Sequence, residues 1–593
     1  MTIRRHPLSL AIAATLVLGL AACADRITSQ RQTEPAPEAT TAEARRVAEA
    51  KSLADLDAQQ ERLETVTVTG SRVNDAAAHI APMALPAPPA PPAQALSNAG
   101  APLAQAVPPP ENTERYAEID PNSVQVTAEN PVSTFSIDVD TGSYANVRRM
   151  LEAGMLPPSD AVRAEEFINY FDYAYTPPRT AGTPFSVTTE LAPAPWNARR
   201  TLMLVGLKGF EVPVSEIPAA NLVFLIDTSG SMAQANKLPL LVDAFKQLVP
   251  KLRARDRVSI VVYAGSAGLV LPPTPGDRHA EILGALDRLS AGGSTNGGDG
   301  IRLAYAVARE AFVEGGVNRV ILATDGDFNV GTTSQDALQT LVGDQRRSGI
   351  ALTTLGFGDG NYNDALAEQL ADVGNGNHAY IDTLQEARKV LVDEMSSTLL
   401  TIAHDVKVQV EFNPAQVAEY RLIGYENRLL RREDFNNDRV DAGEVGAGHD
   451  VTALYELTLV GQGGAANDPL RYAPAKPSAP AASGELAFVK LRYKPRVEAD
   501  SVLVERPVRR GEIADRAGPR LSLAAAAAGF ADALRGGAHL GRFGLADLKA
   551  LARDGVEDGF GYREGLVALI ERAQALRPEA VAQHPTVSIE RED

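Results

Sequence analysis

The chain is short of the residues that build several common kinds of site. Its 593 residues include one cysteine and one tryptophan, and aromatic residues make up 5%. A single thiol excludes disulfides within the chain and any zinc site assembled from several cysteines. Basic residues are outnumbered, 57 Lys and Arg against 75 Asp and Glu, for a formal net charge of −18. That balance argues against nucleic acid as the main partner, because phosphate binding needs a surplus of Lys and Arg. No apolar run reaches the roughly 20 residues needed to span a bilayer. The one candidate, Leu8–Leu20, has 13. Motifs of phosphate and hydrolytic chemistry are missing as well: there is no G-x-x-x-x-G-K-[ST], no G-x-S-x-G and no H-E-x-x-H. No enzyme is expected.

What is present starts with an address. Arg4 and Arg5 precede the apolar segment Leu8–Leu20, and Leu20-Ala21-Ala22-Cys23 follows. This end resembles a bacterial lipobox, which implies cleavage before Cys23 and a lipid on its sulfur. An exported chain with one unpaired, unmodified thiol would otherwise carry a reactive group with no evident use. The resemblance implies a bacterial envelope protein facing the periplasm, held to the membrane by its lipid alone. Asp does not directly follow the cysteine, which favours the outer membrane.

Residues 23–110 read as a disordered tether. Ten of the residues from Ala81 to Pro110 are Ala and ten are Pro, a composition that removes hydrogen-bond donors and fixes φ. Within the tether, Glu64-Thr-Val-Thr-Val-Thr-Gly-Ser-Arg72 alternates like an edge-adding strand. It also resembles the segment leading into the plug of TonB-dependent receptors.

The central part alternates strands with helices. Asn221–Ile226 is an apolar run of strand length, as expected for a strand buried on both faces. Leu238, Leu241, Val242, Phe245, Leu248, Val249 and Leu252 then form one apolar stripe at helical spacing. Pro239 is expected in the first turn of that helix, and Pro250 near its end. Val258–Tyr263, Val317–Ala323 and Ile350–Phe357 read as further strands, Asp299–Val313 and Ser334–Gln345 as helices. The alternation predicts a Rossmann-like α/β domain over 220–400, its sheet mainly parallel and covered by helices on both faces. In such sheets the ligand site lies beyond the carboxyl ends of the strands. Asp227 and Asp325 stand at two of those ends, and Gly292–Gly298 is a glycine-rich loop between them. Hard oxygen ligands of low charge suit Mg²⁺, with Mn²⁺ or Ca²⁺ as alternatives.

Asp227-x-Ser229-x-Ser231, with Thr295 on a later loop and Asp325 on a later strand end, resembles the metal-ion-dependent adhesion site of von Willebrand factor A domains. The resemblance implies that Ser229 and Ser231 bind the ion directly. Thr295 would bind it directly when a ligand is engaged and through water otherwise, and Asp227 and Asp325 would act largely through water. An exposed Asp or Glu of a protein partner would complete the ion's shell. No basic side chain is expected in the gap these residues enclose.

The flanks read as two α+β domains, 111–219 and 401–593. Pro131–Asp140 alternates as a strand, with Ser143 as the cap of a following helix. Val162–Phe171 reads as a second helix, and Phe185–Ala192 and Leu202–Leu207 as strands. His404–Phe412, Val451–Leu459 and Leu486–Tyr493 are strands of a small C-terminal sheet expected beside the central domain, and helices fill the last eighty or so residues. Two acidic stretches superficially resemble metal loops. Asp138-Val-Asp140 reads instead as a strand end with a helix cap. Asp434–Val445 departs from an EF-hand at Arg439 and Val445, and reads as an acidic turn. The order of these parts resembles a bacterial lipoprotein family in which an A domain sits between associated N- and C-terminal domains. The residues that carry this are Ser133–Asn146, Thr324–Gly331 and Gly448–Tyr455.

The function expected is cation-dependent protein binding at the envelope, as adhesion, scaffold or assembly factor. The rival is a structural or signalling lipoprotein that engages TonB-dependent-type machinery through its tether and flanks, its ion merely structural. The sequence leaves the oligomeric state open.

Overall fold

The computed structural model describes residues 113–213, 215–326, 334–467 and 484–577. Cys23 and Glu64–Arg72 lie outside these residues. Among the described residues no helix is long and apolar enough to cross a membrane.

The central domain is a six-stranded sheet. Its elements are β1 (Ala220–Asp227), α1 (Leu238–Leu248), β2 (Arg257–Tyr263), β3 (Ala267–Pro275), α2 (His279–Leu286), α3 (Gly297–Glu310), β4 (Val317–Thr324), α4 (Gln335–Arg347), β5 (Ala351–Phe357), α5 (Asp364–Val373) and β6 (His378–Ile381). The strand order is β6-β5-β4-β1-β2-β3, with every neighbouring pair parallel except β2 and β3. β1 explains its own placement. Leu222, Phe224 and Ile226 point into one core with α1 and α2, while Val223 and Leu225 point into the other with α3, α4 and α5. A strand apolar on both faces belongs in the middle of a covered sheet. The apolar stripe of α1 is buried at Leu238, Leu241, Phe245 and Leu248, and Pro250 falls in the 3-10 turn that ends the helix. β3 carries Pro272, Pro273 and Pro275, which suits the sheet edge it occupies, since proline cannot donate to a ladder.

The flanks lie on either side of the central domain in sequence and are interleaved in space. One five-stranded antiparallel sheet takes Gln125–Val126, Phe185–Ala194 and Asn197–Gly209 from the N-terminal side, with Val417–Ile423 and Asp450–Leu459 from the C-terminal side. In the other, Val132–Ser136 pairs with Thr401–Phe412, which also pairs with Glu485–Lys494. The two sheets share one core that includes Phe135, Met203, Val205, Val408 and Tyr455. The opposite face of the first sheet, with Leu202, Leu204 and Leu454, packs on helices Gly142–Glu152, Ala164–Asn169 and Pro519–Leu534. The five alanines Ala524–Ala528 are all buried in the last of these. So the strands expected to form one small C-terminal sheet beside the central domain are instead divided between the two sheets of a joint β-sandwich, Asp450–Leu459 in one and Thr401–Phe412 with Glu485–Lys494 in the other. Alternation of side chains tells which face is buried and is silent on which strand pairs with which.

Two local expectations are corrected. Ser143 sits inside the first turn of Gly142–Glu152, not at its cap, because its hydroxyl has better partners: it donates to Ala161 O at 2.7 Å and accepts from Arg163 N at 2.9 Å. The expected helix Val162–Phe171 is only Ala164–Asn169.

Candidate metal centre

β1 delivers Asp227 to the carboxyl edge of the sheet, where it is fully buried. Its Oδ1 accepts from the Ser229 amide at 2.8 Å, and its Oδ2 from the Thr324 hydroxyl at 3.3 Å. The turn that follows is fixed to the neighbouring strand, because Thr228 N donates to Tyr263 O at 2.9 Å. Ser229 is buried and Ser231 exposed, and their hydroxyl oxygens are 3.0 Å apart. The site thus runs from a sealed carboxylate to an open rim.

The glycine-rich loop is clasped to this turn. Gly292 N donates to Thr228 O at 2.8 Å, and Gly230 N to Gly293 O at 3.0 Å. Thr295 stands two residues beyond that clasp, half-buried, just before α3 begins at Gly297. Asp325 directly follows β4 and is also fully buried. The next residue, Gly326, has φ +92° and lies so close to the backbone of Asn363 that a Cβ there would be 2.2 Å from Asn363 N. Only glycine fits that position.

A basic group does reach the site, which corrects the expectation of a base-free gap. Lys237, 2% exposed, donates from Nζ to Asp325 Oδ2 at 2.9 Å and to Asn361 Oδ1 at 3.0 Å. Its stem lies against Gly358, where φ is +76° and a Cβ would sit 2.2 Å from Lys237 Cε. The ammonium engages Asp325 and leaves the two serine hydroxyls and Asp227 to one another. Lys237, Thr324 and Asn361 are the site residues that sequence reasoning missed. One signal did mark Lys237: it is the residue before the first turn of α1, where the helix dipole disfavours a cation.

The residues fit a small divalent ion. Burial, with Asp325 adding to it, pushes the Asp227 carboxyl up to about 6 against the pull of the Ser229 amide. Two buried carboxylates meet one ammonium, so the site is short of positive charge. Neighbouring ligands of an octahedral ion at 2.0–2.1 Å lie about 3.0 Å apart. The Ser229–Ser231 separation matches that edge.

Comparison with known proteins identifies the family. The family model of the von Willebrand factor type A domain matches residues 221–394, a von Willebrand factor model matches 110–204, and the model of the C-terminal part of uncharacterized protein YfbK matches 397–576. YfbK of Escherichia coli (strain K12) is 49% identical over 472 residues, covering 78% of this chain and 82% of its own length. The chain belongs to the YfbK family of von Willebrand factor type A (VWA) domain proteins. A more distant relative is human inter-alpha-trypsin inhibitor heavy chain H3, 25% identical over 261 residues, 40% of this chain and 28% of the inhibitor chain. A solved von Willebrand factor type A structure from Catenulispora acidiphila covers 68% of this chain and 91% of its own, at 16% identity and TM-score 0.37. VWA domains typically bind a divalent metal, often Mg²⁺, and generally bind protein partners.

A second group of carboxylates in this VWA protein was not anticipated as a unit. Oxygens of Asp138, Glu166 and Glu368, all buried, lie within 4.8 Å of one another. Arginines occupy this group. Arg163 reaches Glu166 at 3.0 Å, Asp364 at 2.6 Å and Glu368 at 2.7 Å. Arg428 reaches Asp138 at 3.2 Å, Asp140 at 3.7 Å, Glu368 at 3.6 Å and Asp372 at 2.7 Å. Asp140 Oδ1 also accepts from His378 N at 2.8 Å. Asp138 and Asp140 are therefore neither a metal loop nor a helix cap. They bind the N-terminal unit to the central domain through His378 and to the C-terminal part through Arg428. The acidic turn at Asp434–Val445 is tied by its own contacts: Asp434 accepts from Arg431 N, Asp438 from Ser501, and Asp441 pairs with Arg346.

Proposed function

We propose that the chain is an envelope-tethered, divalent-cation-dependent protein-binding protein, acting as scaffold, adhesion or assembly factor. Asp227, Ser229, Ser231, Thr295 and Asp325 would hold the ion, Mg²⁺ by the hardness of its oxygen ligands. The observation that carries this reading is the 3.0 Å pair of serine hydroxyls set over a buried carboxylate. When bound, the ion supplies a positive charge with a position open to an acidic side chain of a partner. The chain's own residues do the rest. Asp227 orients the serine turn through the Ser229 amide, Thr324 fixes Asp227, and the Gly292–Gly293 clasp holds the Thr295 loop at the same edge. Cys23 would carry the lipid that places this head at the periplasmic face of the outer membrane.

Pull-down from envelope extracts with the intact protein tests the binding role. Capture should require Mg²⁺, and should be lost with chelator and with Ser231→Ala. Capture unaffected by either would reject metal-mediated binding. Palmitate labelling, with release of Cys23→Ala from membranes, tests the anchor separately.

A further inference from the structure

Lys237 pairs with Asp325 although it sits at a helix N-terminus, where a positive charge is disfavoured. Its ammonium is buried, and burying it is tolerable only with a carboxylate beside it. Nor can the lysine readily withdraw. Its stem is packed on Gly358, and its second partner, Asn361, lies between β5 and α5 in a stretch held from the other side. There Thr113 N donates to Gly360 O at 2.8 Å and Arg115 N to Tyr362 O at 3.0 Å. The ammonium lies on the Asp325 side of the rim, and among the described residues no Lys or Arg forms an ion pair with Asp227.

We propose that Lys237 is the resident counter-cation of the metal site, competing with the divalent ion for Asp325 and holding its affinity low. This rests on the metal reading above. With the lysine in place, the two carboxylates present a single net negative charge to an incoming ion. Without it they would present two, in surroundings where charges are poorly screened. The lysine also keeps Asp325 paired while no ion is bound. The device therefore exchanges affinity for a rim that stays folded and releases its ion.

The test is Mg²⁺ titration of the full chain, followed by calorimetry and by thermal unfolding, for wild type, Lys237→Met and Lys237→Gln. The methionine keeps the stem and removes the charge. It should bind Mg²⁺ at least about tenfold more tightly, as expected when a competing unit charge is removed in a poorly screened site. It should also unfold at a lower temperature without the ion. Lys237→Gln also removes the charge and keeps a polar end for Asn361, so it should tighten Mg²⁺ binding to a similar extent, and it decides the matter if the methionine variant does not fold. Unchanged or weaker binding in a folded variant, with wild type still binding, overturns the role of Lys237 and leaves the metal reading standing. Binding by the variants but not by wild type upholds Lys237 and overturns an ion-loaded wild type. Failure of all three to bind overturns both.

Discussion

The rim at Asp227 and the junction at Arg428 are built from the same side chains and reach opposite ends. At the junction, Asp138, Asp140, Glu166, Asp364, Glu368 and Asp372 meet two arginines, most of them out of water. A guanidinium offers five donors in a fixed fork and serves several carboxylates at once. The cluster is thereby closed, although it holds more acid than the rim. At the rim one ammonium takes an oxygen of Asp325, while two hydroxyls lie 3.0 Å apart, that of buried Ser229 and that of exposed Ser231. A wealth of acid therefore does not make a metal site. Neutral oxygen ligands and an open side do.

The largest effect that separates the two regions should come from Arg428→Met. Removing one partner of a buried ion network leaves uncompensated charge, and the loss should be about 3–5 kcal/mol in urea unfolding. Mg²⁺ binding by the protein that remains folded should not change. A loss below about 1 kcal/mol would mean the junction is wetter than described.

pH comes next. Burial raises Glu165 to about 7, with Glu426 and Asp138 adding to it, and raises Glu166 to about 8 although Arg163 opposes. The folded chain thus keeps protons that the unfolded chain has released. The stability these two contribute is complete below about 4.5 and is lost as pH rises through about 8. The decline should amount to about 1–3 kcal/mol across that window, and Glu166→Gln should flatten it. A stability that rises over the same window would contradict the assignment.

The rim should answer more quietly in stability and more loudly in ion response. Asp227→Asn keeps the shape and its acceptor for the Ser229 amide while removing a buried charge. Stability without ion should change by about 1 kcal/mol or less, while the rise in Tm on adding Mg²⁺ disappears. Ser231→Ala, at an exposed position, should alter stability by no more than about 0.5 kcal/mol yet weaken the Mg²⁺ response. If that response survives both changes, the rim differs from the junction only in exposure.

How legible these regions were follows from how local their causes are. In the central domain each strand and the helix after it are neighbours in sequence, so the two-faced apolar run of β1 and the stripe of α1 announced themselves. The site motif lies at the ends of those strands, and its five residues could be read in order. Between the flanks, Val132–Ser136 pairs with residues near Val408 and Asn197–Gly209 with residues near Tyr455, and no local pattern carries that information. The junction was missed for the same reason, since its charges come from three distant segments. Lys237 was readable in principle as a cation at the wrong end of a helix. Its partner Asn361 was not, because only the fold brings it there.

Calorimetric titration of the full chain with Mg²⁺, beside Asp227→Asn, tests the account most directly. The account predicts one saturable site in the wild type and none in the variant, with both equally folded by circular dichroism. Equal uptake by the two proteins, or no uptake by wild type, would contradict it.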